Sequence, residues 1–195
     1  PLGTLAEVAR AHDALLLVDE AHGLGVAGPQ GRGLVAAHGL GSDPHVLVTA
    51  TLSKSLGAQG GAVAGSAGVI DHLVNTARPF IYDTGLAPAP AAAALSALEV
   101  LREEPHLPRL VATRVFELAN LFQTPVPAGA VLSIPMASPE SALAAQARVL
   151  GAGVRVGCFR PPSVPDGISR LRVTCSAGLS AADWGRAVHA LADVL

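Results

Sequence analysis

Lys54 is the single lysine in a chain of 195 residues whose other twelve basic side chains are all arginines. Arginine keeps its proton near neutral pH and cannot form a Schiff base, whereas an amine can do both. A chain that uses arginine wherever charge alone is needed marks its one lysine as kept for chemistry, against the plainer reading of a solvated surface residue. Lys54 lies in the stretch TATLSKSLGAQGG, just beyond an apolar strand pattern and among Ser53, Ser55, Gly57, Gly60 and Gly61. Small residues of this kind let a ligand approach the backbone closely. Upstream, Asp19-Glu20-Ala21-His22-Gly23 closes a second apolar run. Asp19 and Thr51 thus stand at the carboxyl ends of two predicted strands, where open α/β sheets collect ligands. If those strands are parallel neighbours, Asp19, His22, Thr51 and Lys54 converge on one crevice. A carboxylate that holds a pyridinium nitrogen protonated and an amine that carries an aldehyde are the partnership used with pyridoxal phosphate.

The elements that must position these residues follow from periodicity and punctuation. Pro1 suits the first turn of a helix, and Thr4-x-x-Glu7 reads as a capping box just inside it, with the helix ending near His12-Asp13. The continuous run Ala14–Val18 predicts a strand buried on both faces of a parallel sheet. Gly23, Gly25, Gly28, Pro29, Gly31 and Gly33 predict a long turn-rich loop. Val46–Thr51 and Ala62–Ala64 are the next strands, and Ser66 is placed to cap a short helix running to about Ala77. Arg78–Tyr82 reads as extended, and Pro88–Glu104 and Pro108–Phe122 as helices. Beyond Pro127 the pattern becomes strand 130–136, helix 139–150, strand 154–159, strand 169–175 and a last helix begun by Ser180-x-x-Asp183. That order predicts a small α+β lobe.

Composition narrows the classes. Half of the residues are hydrophobic and 14% are charged, which disfavours disorder. A net charge of −2 without a basic run disfavours nucleic acid as the partner. No uninterrupted apolar run reaches the length of a membrane span, and no signal-peptide pattern is visible. Cys158 and Cys175 form no CxxC, so neither a metal site nor a disulfide framework is expected, and a cytoplasmic setting fits. The chain opens on Pro1 with a helix and no strand before it, which leads to the expectation of a piece of a longer polypeptide.

Six blocks in order carry a resemblance. They are Asp19–Gly23; Gly28-Pro29-Gln30-Gly31-Arg32-Gly33; Thr51-Leu52-Ser53-Lys54; Arg78-Pro79-Phe80-Ile81; Arg160-Pro161-Pro162-Ser163-Val164-Pro165; and Leu171-Arg172-Val173-Thr174. Together they resemble the α-oxoamine synthase family of fold-type I pyridoxal-phosphate enzymes. The resemblance implies an α/β fold: residues 1–104 as the C-terminal part of a large cofactor-binding domain with a mostly parallel sheet, and 105–195 as a small α+β C-terminal domain. It implies Lys54 as the Schiff-base residue, Asp19 as the partner of the pyridine nitrogen and His22 on the phenolic oxygen, these three being catalytic. Cofactor contacts are implied for Glu20, Ala21, Thr51, Leu52 and Ser53 as well. Thr84 is implied on the phosphate of a partner subunit's cofactor, in a homodimer with shared sites. Arg172 is implied as the clamp for an amino-acid carboxylate, which a guanidinium grips in bidentate fashion, with Ser163 and Arg160 as further substrate contacts. The Arg160–Pro165 block is most similar to the members that condense L-alanine with a pimeloyl thioester in biotin synthesis, a decarboxylating acyl transfer. The glycine-using members usually differ there. Relatives also carry an extensive N-terminal part with a phosphate loop and a ring-stacking residue, which nothing before Pro1 supplies.

Other readings stay open at this point. Asp19 and Thr51 also read as strand-end caps, His22 as a loop histidine, and Arg172 as a solvated face residue or a structural ion pair. Asp19–His22 is literally a DEAH box, and Thr49-Ala50-Thr51 resembles the Ser-Ala-Thr motif of helicase-like nucleotide motors, although a phosphate-binding Gly-Lys-Ser/Thr loop is absent. A non-catalytic fragment of the same fold is the third reading.

Overall fold

The structure, a computed structural model, describes residues 1–195. The chain divides into two compact units, Pro1–Arg109 and Leu110–Leu195, and the division falls inside a helix, beyond the 104/105 boundary expected from the sequence.

In the first unit, α1 (Leu2–Ala11) is followed by β1 (Leu16–Asp19). A long loop containing a single 3-10 turn at Pro29–Gly31 leads to the one-turn helix α2 (Leu34–Ala37). Strands β2 (Val46–Thr51) and β3 (Gly61–Ala64) come next. Helices α3 (Ala67–Thr76), α4 (Arg78–Ile81) and α5 (Pro88–Glu103) complete the unit, and α6 (His106–Leu121) begins in it. The sheet has the order β1-β2-β3. β1 and β2 are parallel, as expected, and β3 joins β2 antiparallel, so this part of the sheet is mixed.

Strand alternation sorts the sheet into two faces. Leu16 and Val18 turn toward Ala6 of α1, Val35 of α2, Leu40 and Val46, which form the core of the unit with Leu2 and Val48. The opposite face carries Leu17 and Asp19, and Leu17 is 59% exposed. Within residues 1–195, β1 is covered on one face, where burial on both was expected. Val63, level with Asp19 and Thr49 across the sheet, is also exposed.

Three local expectations change. Pro1 is the N-cap residue of α1 and no side chain caps the helix, so Thr4-x-x-Glu7 is no capping box. Ser66 stands at the N-cap of α3 but makes no side-chain cap bond. Arg78–Tyr82 is not extended: residues 78–81 form a helical turn with Pro79 in its first turn and the Arg78 guanidinium 5.2 Å from the Tyr82 ring. Proline in a first turn loses no bond, since that N–H has no intrahelical partner.

The second unit pairs an antiparallel sheet, β4 (Val131–Pro135), β5 (Gly157–Phe159) and β6 (Arg170–Thr174) in the order β4-β6-β5, with α7 (Pro139–Gly151) and α8 (Ala181–Val194). Leu118, Leu132, Ala142, Ala145, Val149, Leu171 and Leu191 are almost fully buried. α7 begins with a reciprocal Ser138–Ser141 capping box, and Ser180 caps α8 by accepting the Asp183 N–H at 3.0 Å. Arg114 of α6 is buried beneath the segment entering α8. It donates to the Ser176 and Leu179 carbonyls and stacks 5.1 Å from the Trp184 ring.

Candidate active site

The parallel ladder sets the site. Asp19 lies opposite Thr49, and the ladder runs one residue further through Glu20 N–H to the Thr49 carbonyl at 2.7 Å. Asp19 and Thr51 therefore end neighbouring strands at the same carboxyl edge. Because residues 49 and 51 have the same parity, Asp19, Thr49 and Thr51 also share the sheet face opposite the α1–α2 core. Asp19 is exposed, and its Oδ1 accepts the Ala21 N–H at 2.8 Å. That bond holds the carboxylate over the start of the loop.

Glu20 has the other parity. Its residue is only 5% exposed, and Oε1 accepts the Val35 N–H at the start of α2 at 2.7 Å. The glycines of the loop make room for it. A Cβ on Gly23 would lie 1.7 Å from Glu20 Oε2, and one on Gly33 would lie 2.7 Å from Oε1. The loop then folds back on itself through Gly25 N–H to Gly31 O (2.6 Å) and Gly33 N–H to Ala27 O (2.8 Å). His22 is exposed at the head of this loop and Ala21 is half-buried. The Glu20 side chain, expected among the cofactor contacts, is instead buried on the face away from Asp19.

Lys54 projects from the turn that follows β2. Leu52 N–H donates to Gly60 O, Ala58 N–H to Leu52 O and Gly57 N–H to Lys54 O, closing the turn. Gly57 and Gly60 take positive φ of 60° and 108°, a region that glycine enters without a Cβ penalty. The Thr51 and Ser53 hydroxyls bond each other at 2.7 Å. Ser55 Oγ donates to Leu24 O at 2.6 Å, and a Cβ on Gly25 would strike Ser55 at 2.5 Å. The lysine turn is thus seated against the loop that carries His22. Lys54 itself is exposed and forms no ion pair. The geometry offers an accessible amine and a held carboxylate at one sheet edge, with an imidazole on the adjoining loop. In the sequence Ser55 is only a small neighbour of Lys54; its bond to the Leu24 carbonyl carries no sequence signal. The support role of Glu20 was detectable, because alternation sends it to the face opposite Asp19.

The remaining expected residues come from other segments of the chain. Thr84 is exposed between α4 and α5, where its N–H donates to Asp83 Oδ1 at 2.8 Å. In the second unit Arg172 is half-buried on the central strand β6, between Ser133 and Gly157, with its guanidinium 5.6 Å from the Phe159 ring. Ser163 is exposed and its N–H donates to Arg160 O at 2.8 Å. Arg160 is exposed, and its charge contributes, after local hydrogen bonds, to lowering the Glu140 carboxyl from its ordinary value.

Comparison with known proteins adds three findings. The family model "Aminotransferase class I and II" matches residues 2–191. Proteins named 8-amino-7-oxononanoate synthase from Mycobacterium sp. (strain JLS) and Mycobacterium leprae (strain TN) are each 54% identical over 196 aligned positions, covering the whole chain and 51% of the relative. The chain thus spans about half the length of these relatives. Among solved structures, Sphingomonas wittichii serine palmitoyltransferase superposes over the whole chain and half of its own length, with a TM-score of 0.90 and 26% identity. The 8-amino-7-oxononanoate synthase of Francisella tularensis shares the fold, covering 97% of this chain and 57% of its own, with a TM-score of 0.79 and 23% identity.

Proposed function

The chain belongs to the aminotransferase class I and II family, and on that premise we propose that it is part of a pyridoxal-phosphate acyltransferase. The reaction is the decarboxylating condensation of L-alanine with a pimeloyl thioester to give 8-amino-7-oxononanoate, a step of biotin synthesis. The observation that carries the chemistry is the one side-chain amine of the chain, Lys54, exposed on a turn bonded by Ser55 to the loop that follows Asp19–His22. The reading of substrate rests on the 54% identity to relatives of that name across the whole chain. A nucleotide motor built on Asp19–His22 is set aside, because the aminotransferase family model runs through those residues.

The residues present fit pyridoxal phosphate. The amine is exposed, the carboxylate is held at the same sheet edge, and the backbone of the lysine turn is glycine-rich. When bound, the cofactor supplies an electron sink for a carbanion at the amino-acid Cα. Lys54 would hold the cofactor's aldehyde carbon through Nζ, and the same amine is the group that would take the proton from the Cα of alanine. Asp19 holds a proton at the pyridine nitrogen. Its Oδ1 is already anchored by the Ala21 N–H, so the carboxylate is oriented before the ring arrives. His22 is assigned to the phenolic oxygen, and Thr51, Leu52 and Ser53 to the cofactor beside the lysine. Arg172 is assigned to the substrate carboxylate, with Ser163 and Arg160 as neighbouring contacts. A homodimer in which Thr84 serves the partner's cofactor, and a cytoplasmic setting, belong to the same proposal. No helix is long and apolar enough to cross a membrane.

The test is covalent capture in the whole protein. Borohydride in the presence of pyridoxal phosphate is expected to leave a phosphopyridoxyl group on the peptide containing Lys54, read by mass. Lys54→Ala and Lys54→Arg should both lose capture and turnover, because arginine keeps the charge but not the nucleophilic amine. Capture at any other residue, or a Lys54→Arg variant with wild-type turnover, refutes the assignment.

A further inference from the structure

The buried carboxylate beside the site is used by none of the steps above. Glu20 follows Asp19 directly, yet its side chain leaves on the opposite face of the sheet and disappears beneath the loop. There Oε1 accepts the Val35 N–H at 2.7 Å, and the carboxylate fills the space that a Cβ on Gly23 or on Gly33 would take. Its backbone is held equally firmly. Glu20 N–H donates to Thr49 O, and Glu20 O accepts from Gly23 N–H and Leu24 N–H, both at 3.0 Å. Both ends of the turn holding Ala21 and His22 therefore hang from this one residue. Any larger residue at 23 or 33 would displace its carboxylate.

We infer that Glu20 is a positioning residue: by locking onto Val35 N–H between Gly23 and Gly33, it fixes the turn that orients Asp19 and presents His22. The inference deepens the functional reading and rests on it for the identity of what Asp19 serves. The orienting effect itself belongs to this chain alone. The physical reason is the alternation of a strand. Consecutive side chains point to opposite faces, so anchoring residue 20 on the core face fixes the rotation of residue 19 on the open face. With that rotation fixed, Asp19 Oδ1 meets the Ala21 N–H. A glutamate is suited to this because its reach spans the loop from β1 to α2 and its oxygen accepts a backbone N–H that would otherwise be buried without a partner.

Ala21 N–H reports the orientation of Asp19 without any cofactor, so the experiment reads amide hydrogen exchange by NMR in the whole protein prepared without cofactor. Glu20→Ala is expected to speed exchange by about tenfold or more at Val35, Gly23, Leu24 and Ala21, the scale of one lost bond to a buried donor. Glu20→Gln, which keeps an acceptor oxygen, should recover most of the protection. Arg10→Ala removes the Arg10–Asp43 ion pair elsewhere in the unit and should leave these four amides unchanged. If Glu20→Ala does not fold, Glu20→Asp, one methylene too short to reach Val35, is expected to show the same four-site effect. Faster exchange confined to Val35, with Ala21 as protected as in the wild type, overturns the inference, since Glu20 would then only close the start of α2. A second readout is capture of pyridoxal phosphate at Lys54 in the whole protein. If the wild type captures none, the functional reading falls, while the exchange comparison still decides the role of Glu20.

Discussion

Gly23→Ala offers a steric test of the site in which the sign of the effect reverses with background. A methyl group at residue 23 would lie 1.7 Å from Glu20 Oε2 and 3.0 Å from its carboxyl carbon. The carboxylate must therefore retreat by more than about 1 Å to reach an ordinary contact. Glu20 Oε1 sits 2.7 Å from Val35 N, and a retreat of that size takes the pair beyond hydrogen-bond range. The lost bond to a buried donor costs about 1–3 kcal/mol. Against this, Gly23 has no positive φ, so alanine is allowed there and contributes about 0.4–1 kcal/mol by restricting the unfolded chain. The steric term wins, and Gly23→Ala is expected to destabilise the first unit by about 1–2 kcal/mol. With Glu20→Ala already present the clash has no partner, and the same substitution should be neutral or stabilising by up to about 1 kcal/mol. The assay is urea unfolding followed through amide signals of β1 and β2, which report the first unit alone. Equal destabilisation in both backgrounds would refute the argument that the glycine exists to seat the Glu20 carboxylate.

Cys175 is buried, and burial pushes its thiol up to about 11, an effect that the nearby Arg114 charge opposes. At pH 8 it should react with a thiol reagent about a hundredfold more slowly than a free cysteine, and equal rates would show that the site is open. The folded thiol holds its proton to a higher pH than the unfolded one, so this group's contribution to stability is complete below about pH 9. It is lost as pH rises from there toward about 11, and urea midpoints across that window check the sign. Leu171→Ala removes a side chain with 0% exposure from the centre of the second sheet and should cost about 2–5 kcal/mol, measured by denaturation followed at Trp184. Ser55→Ala removes the 2.6 Å bond to Leu24 O; it should cost only about 0.5–1.5 kcal/mol while lowering capture of pyridoxal phosphate at Lys54. Unchanged capture would show that the seating of the lysine turn is immaterial.

Much of the site was readable in the chain because its parts are local. The uniqueness of Lys54, the strand-end placement of Asp19 and Thr51, and the glycines of the loop are all properties of composition and spacing. Helices with strong punctuation, such as the one begun by Ser180, are specified by neighbouring residues and formed where expected. Three matters required the tertiary structure. The direction of β3 against β2 depends on how the lysine turn closes between them, and a short apolar run carries no mark of direction. Exposure of Leu17 depends on what lies against the open face of β1, whereas an apolar run looks the same whether one face or both are covered. Glu20 shows the division most clearly. Alternation alone separates it from Asp19, but its partner, Val35 N–H, lies across the loop, and only the folded chain brings that buried acceptor and donor together.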